Sequence, residues 1–175
     1  MGMFNKLAVA AVILGSMSTA ALAADLVVDV PVVDEVAPSD WDGFYAGLGL
    51  TGTRYTPGAD VLGSLDAIVG VNVVADMFVL GVEGQISGYT STFGNGVQVS
   101  GEIRGGVLAT PDILIYGSLG DTYFITGGGN YVNLGIGAEF KVAEKTTLDL
   151  EYKHGWGTNV GFQSDSVSAS VLWHF

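Results

Sequence analysis

From Trp41 to the end of the chain, apolar side chains recur at every second position in eight short runs. "DGFYAGLGLT" carries Phe44, Ala46, Leu48 and Leu50, and "LDAIVGVNVV" carries Leu65, Ala67, Val69, Val71 and Val73. "MFVLGVEGQIS" follows with Phe78, Leu80, Val82 and Ile86, and "GVQVSGEIRGGVL" with Val97, Val99, Ile103 and Val107. "ILIYGSLG" supplies Ile113, Ile115 and Leu119, although its other parity is also apolar. "YVNLGIGAEFKV" gives Val132, Leu134, Ile136, Ala138, Phe140 and Val142, and "TLDLEYKHGW" gives Leu148, Leu150, Tyr152 and Trp156. The last run, "SVSASVLWHF", sets Val167, Ala169, Val171, Trp173 and Phe175 against Ser166, Ser168, Ser170 and His174, with Leu172 as the exception. A period of two predicts strands with two unlike faces.

Each run is close to the 9–11 residues a tilted strand needs to cross hydrocarbon. The gaps alternate: tight around Ala75-Asp76, at 109–112 and at 143–146, longer and Gly- or Asn-rich at 54–64, 88–96, 121–130 and 157–165. This predicts an all-β fold, an eight-stranded antiparallel up-and-down transmembrane β-barrel over 41–175 with both termini at the short-turn end. Charge sorts the faces. The apolar parity of these runs holds no Asp, Glu, Lys or Arg, whereas the other holds Glu83, Gln85, Ser100, Glu102, Arg104, Asn133, Glu139, Lys141, Asp149, Glu151 and Lys153. A Lys or Arg facing lipid at mid-bilayer costs roughly 2–4 kcal/mol, so its exclusion marks the lipid face. A soluble lipocalin-like barrel would exchange the faces. It would then show water a surface of Gly, Ser and Asn with few lysines, poor for solubility and for protecting strand edges.

Composition agrees with a membrane setting. Only 14% of residues are charged, 49% are hydrophobic and Gly numbers 27 in 175, where a solubilising surface carries roughly 25–35% charge. Ahead of the runs, "MGMFNK", the apolar "LAVAAVIL" and small residues leading to Ala21-Leu22-Ala23 read as a secretory signal peptide, 1–23, cleaved after Ala23. An uncleaved anchor is the alternative, but the second half of Leu7–Ala24 is rich in Ser, Thr, Gly and Ala. Residues 24–40, with two prolines, five acids and no base, read as an extended periplasmic arm. Beyond the signal the chain has five basic residues against eighteen acids, which argues against nucleic acid as a partner. It has no Cys, which removes disulfides, thiol chemistry and Cys-ligated metal.

In an eight-stranded barrel the interior is just wide enough to be filled by side chains. Gly47, Gly49, Gly81, Gly106, Gly120, Gly135 and Gly137 fall on the inward parity and leave room for long charged side chains and water. The expected interior is a network of Glu83, Glu102, Glu139, Asp149 and Glu151 with Arg104, Lys141 and Lys153, five acids against three bases. Buried charges of this kind require partners. Trp173 and Phe175, with Tyr152 and Trp156, suit interfacial girdles.

The "ADL" start, the acidic arm and "WDGFYAGLGL" resemble the small outer-membrane barrels common in α-proteobacteria, of porin-family or OmpA-like type. "VLGVEG", "GEIRGGVL" and "LEYKHGW" match that family's inner Glu, inner Arg and penultimate-strand Glu-Tyr, so the resemblance places Glu83, Arg104 and Glu151 inside the barrel. It also implies a terminal Phe175 read by the barrel-assembly machinery, periplasmic chaperones during biogenesis, and outer-membrane lipid and lipopolysaccharide as surroundings. Two features depart from the family: short, nearly uncharged outer loops, and "VLWHF" where many relatives carry Arg before the final Phe.

His154 invites an enzymatic reading, since lipid A-modifying barrels keep a His with a Ser and a carboxylate at the outer rim. Ser164 and Ser166 lie on the next strand, but the nearest acids in sequence, Asp149 and Glu151, face inward, and a triad needs all three groups to converge. The alternative is an interfacial His beside Tyr152 and Trp156. "ITGGGNY" (125–131) resembles a phosphate-cradling loop, without a following base or helix, and reads as an outer loop. Asp60, Asp66 and Asp121 are expected as solvated rim charges, with weak Ca²⁺ binding the alternative. No cofactor, metal or catalytic residue is expected, and a monomer is. The functions open are a structural outer-membrane barrel, a narrow cation-leaning pore, and, less favoured, surface recognition or lipid modification.

Overall fold

The computed structural model describes residues 41–58, 61–92 and 94–175. The signal peptide with Ala21 and Ala23, the arm 24–40, and Asp60 lie outside the described residues. Eight strands follow one another: β1 (Gly43–Thr56), β2 (Val61–Ala75), β3 (Phe78–Ser91), β4 (Gly94–Thr110), β5 (Ile113–Phe124), β6 (Asn130–Ala143), β7 (Thr146–Gly157) and β8 (Gln163–His174). Each pairs antiparallel with the next, and β8 returns to β1 to close a barrel. Closure removes every free edge. The end of the last strand is tied down on both sides, with the Phe175 amide donating to Phe44 O at 2.9 Å and the His174 amide to Lys145 O at 2.9 Å.

The register fixes the geometry. Pairing followed from Arg54 through Asp165, His154, Leu134, Leu119, Ile103, Val82 and Val71 returns to β1 at Phe44, ten residues away. With roughly 3.3 Å of rise per residue and strands about 4.8 Å apart, that stagger tilts the strands by about 40°.

The three tight turns sit at one end, as expected. The first has Asp76 at φ 58°, a left-handed position that Asp tolerates better than most residues. The other two follow register shifts at Leu108/Thr110 and Lys141/Ala143. At the far end the connections are shorter than the sequence suggests: 57–60, 92–93, 125–129 and 158–162. The strands run on through stretches rich in Gly, Ser, Thr and Asn, where the outward face is no longer uniformly apolar and the alternation weakens. Backbone groups there still need partners, and pairing with the neighbouring strand supplies them.

The outward face carries the expected apolar set, with Leu50, Val69, Leu80, Ile103, Ile136 and Val167 all well exposed. Among the described strand positions, the outward Asp, Arg and His are Arg54, Asp121, Asp165 and His154, all on the far-end overhang. Asp121 is therefore an exposed rim residue, as expected. Asp66 is not. It is buried inside the barrel and accepts hydrogen bonds from Thr51 (2.6 Å) and Ser64 (2.8 Å). The even parity of β2 points inward, which places Asp66 in the wall of the lumen.

Candidate functional site: the barrel interior

The interior is layered along the barrel. At the turn end, buried Trp41, Val79, Leu114 and Tyr116 form one apolar cluster, edged by Val74 and Leu108. Tyr45, Ile68 and Leu172 form a second. Trp41 is held in place by its indole N–H, which donates to Pro111 O at 2.9 Å. The exception in the last run, Leu172, is thus an inward core residue. The mixed parity of the fifth run has the same cause, since Leu114 and Tyr116 face inward.

Next to these clusters lies the charge layer. Arg104, buried, spans two carboxylates on different strands: Nη1 is 3.0 Å from Glu83 Oε2, and Nη2 pairs with Glu139 Oε2. Its guanidinium carbon sits 4.2 Å from the centroid of the Tyr116 ring and 5.4 Å from that of Tyr45. Arg is suited to this place because its planar fork donates in two directions while its faces stack on rings. Lys153 forms a second centre, 2.5 Å from Glu102 Oε2 and 3.0 Å from Glu151 Oε2. Lys141 faces the turn end and lies over the Trp41 ring at 5.8 Å rather than in either centre.

Counting Asp66, the interior acids outnumber the bases more strongly than the sequence pattern suggests, and hydroxyls make up the difference. Tyr45 donates to Glu83 (2.7 Å), Tyr116 to Asp149 (2.8 Å), Ser118 to Glu151 (2.5 Å) and Thr147 to Glu139 (2.6 Å). His174 Nε2 stands 3.0 Å from the same Glu139 oxygen that accepts from Thr147. Each carboxylate is satisfied by at least one side chain of another strand, as buried charges require.

The inward glycines make room for charged side chains, as expected, and for the rings of Tyr45 and Tyr116 as well. Gly81 and Gly135 do lie beside charged stems, with a Cβ there meeting Arg104 Cγ or Lys153 Cγ at 3.0 Å. Gly70 and Gly137, however, lie directly under the rings of Tyr45 and Tyr116. The room left by the inward glycines is thus shared between charged side chains, Glu102 beside Gly120 among them, and the hydroxyl-bearing rings of Tyr45 and Tyr116. Sequence reading missed both tyrosines because they sit one residue from the apolar parity in runs read for their outward face.

Beyond the charge layer the lumen turns neutral. A cavity of about 50 Å³ is lined by Thr53, Gln85, Gln98, Thr122, Asn133 and Ser168, among others, with Lys153 at its edge. The mouth beyond it is ringed by the inward Tyr55, Tyr89, Phe124 and Tyr131.

Outside the barrel, His154 has a carboxylate after all. Its Nδ1 is 2.8 Å from Asp165 Oδ1, which also accepts from the Tyr152 hydroxyl at 2.6 Å, and Trp156 meets the imidazole edge-on at 4.6 Å. The group that does not converge is the serine. Ser164 and Ser166 face inward, where Ser166 bonds Thr53 at 2.9 Å. The reason is parity: Asp165 lies between the two serines and takes the outward position. Among the described residues no group of three or more His, Asp and Glu is placed to hold a metal ion.

No protein-family model matches the chain, and no curated protein matches it. Solved structures do. The chain is similar to Neisserial surface protein A, with a TM-score of 0.52 at 16% identity, covering 77% of this chain and 98% of that one. It is also similar to the N-terminal β-barrel domain of Pseudomonas aeruginosa OprF, with a TM-score of 0.51 at 14% identity, covering 75% and 98%. The fold is therefore the closed eight-stranded antiparallel barrel of outer-membrane proteins.

Proposed function

We propose that this chain is an integral outer-membrane barrel with a structural role, its lumen closed to solutes, belonging among the small α-proteobacterial barrels. The observation that carries the reading is the series of filled layers: two apolar clusters at the turn end, then two ion-pair centres crossing the lumen. An ion entering this path would have to displace carboxylates already held by Arg104, Lys153 and hydroxyls, at several kcal/mol each. The charge-free outward belt suits lipid, and the turn end is periplasmic. On this reading lipid and lipopolysaccharide are the surroundings, and the assembly machinery and its chaperones are the partners in biogenesis. The chain works as a monomer and without catalysis: among the described residues no serine stands beside the rim His154–Asp165 pair, which serves as an interfacial contact with Tyr152 and Trp156.

Single-channel recording of the refolded chain in a planar bilayer tests the proposal. Silence at physiological salt is expected. Steady cation-selective steps, altered by Glu102→Gln, would overturn it in favour of a narrow pore.

A further inference from the structure

We propose that the outer mouth of the barrel is a binding site for a small, uncharged ring compound arriving from the aqueous side. The site is a cup of about 460 Å³, within the range of small-molecule pockets and too small for a folded segment of another protein. Its floor is the inward ring layer, and its described walls are Pro57 and Gly58 on one side, Thr126, Gly127 and Gly129 on another, and Val160 and Phe162 on a third. Phe162 is 47% exposed, an unusual place for a phenyl group on a loop facing water.

Three features define the ligand. The first is the ring series. Tyr55 meets Tyr131 at 5.8 Å and 57°, Tyr131 meets Phe124 at 5.8 Å and 63°, and Phe124 meets Tyr89 at 5.3 Å and 69°. The first contact is tilted and the other two are edge-to-face, and one further flat ring extends the series in the geometry aromatic groups favour. The second is charge. None of the described side chains lining the cup is charged, and the nearest inward base below it, Lys153, is held by Glu102 and Glu151. A charged headgroup would be desolvated there without a partner, so a fatty acid or lipid fits poorly. The third is direction. The floor residues are the inward side chains of β1, β3, β5 and β6, so the cup opens along the barrel axis and not sideways to the lipid. Among the described side chains its polar groups are few, the hydroxyls of Ser91, Thr126 and the tyrosines, enough to orient one polar substituent.

The cup is also built before any ligand comes. Asn159 donates to Gly128 O (2.8 Å) and accepts from the Asn130 amide (2.8 Å), tying two connections together. The Ile125 amide donates to Val97 O (3.0 Å) and the Tyr89 hydroxyl to Thr126 O (3.2 Å). Walls already ordered spare a ligand the entropy of ordering them. Because the charge layer lies beneath, such a ligand is held and not passed on.

The test is a titration of the ¹⁵N-labelled full barrel in lipid nanodiscs with 1-naphthol, read at four glycine amides. Gly127 and Gly129 report the cup, whereas Gly84 and Gly101 face the outward belt and report partition into lipid. Saturating shifts confined to Gly127 and Gly129, with Kd below about 1 mM, and at least a five-fold loss of affinity in Phe162→Ser are expected. Non-saturating shifts at all four glycines, or an unchanged affinity in Phe162→Ser, would overturn the proposal. Tighter saturation of the same two glycines by decanoate would make the cup an acyl-chain site, and by phenyltrimethylammonium a cation cage, and either result would also overturn it.

Discussion

Arg104 shows how much of this interior rests on single side chains. It is the common partner of Glu83 and Glu139 and lies against both buried tyrosines. Arg104→Met should cost roughly 3–5 kcal/mol, because two carboxylates then face each other without their cation. Arg104→Lys should lose less, since an ammonium keeps the charge but reaches only one of them well. Urea unfolding of the refolded barrel in vesicles, followed by heat-modifiable gel mobility, measures both, and equal midpoints for all three proteins would show that the guanidinium holds nothing. Glycine gives a paired prediction. A Cβ on Gly137 runs into the Tyr116 ring, whereas one on Gly84 meets nothing within 4 Å. Gly137→Ala should therefore destabilise by about 1–3 kcal/mol, and Gly84→Ala should stay within about 0.5 kcal/mol of wild type. Adding Tyr116→Leu to Gly137→Ala should cost less than the two changes separately, because they share one contact.

At the scale of the strand, what could be read from sequence was whatever repeats with a period of two. Outward side chains such as Val69, Ile103 and Ile136 face one uniform solvent, so their parity stays regular through every run. The inward face meets charge, ring and hydroxyl in turn, and no period describes it. That is why Leu172 looked like an exception and Asp66 like rim charge, although both belong to the lumen. The charged members of the interior were legible because an Arg or Glu inside an otherwise apolar run has few places to go. Which carboxylate each base would meet was not, because partners are set by register across the lumen: Arg104 of β4 meets Glu139 of β6, and Lys153 of β7 meets Glu102 of β4. The His154–Asp165 pair was missed for a related reason, since β7 and β8 align them although eleven residues separate them in sequence. The outward belt itself is testable. Ile136, 61% exposed at the middle of β6, should cost about 2–4 kcal/mol when changed to Arg. The same change at Thr90, exposed on the overhang of β3, should cost under about 1 kcal/mol. Folding into thin bilayers at graded urea separates the two, and a similar cost at both sites would place the lipid boundary elsewhere.

For the whole molecule, the proposed seal rests on two filled layers that lie in series. A solute moving along the axis must pass the apolar clusters and the charge layer, and the taller barrier sets the flow. Opening one should leave the other still blocking the axis. Trp41→Gly with Leu114→Ala removes two of the largest fully buried side chains from the turn-end cluster. Arg104→Ser with Glu139→Ser cuts the charge layer while keeping it neutral and hydroxyl-lined. Each pair alone should leave the barrel silent in a planar bilayer, and the four changes together should give discrete steps, provided gel mobility shows that the barrel still closes. Conductance from the first pair alone would mean that the ion pairs let solutes through and that the apolar clusters are the seal. Conductance from the second alone would assign the seal to Arg104 and its carboxylates. The series arrangement makes the non-additive result the expected one, because either layer left in place still blocks the axis.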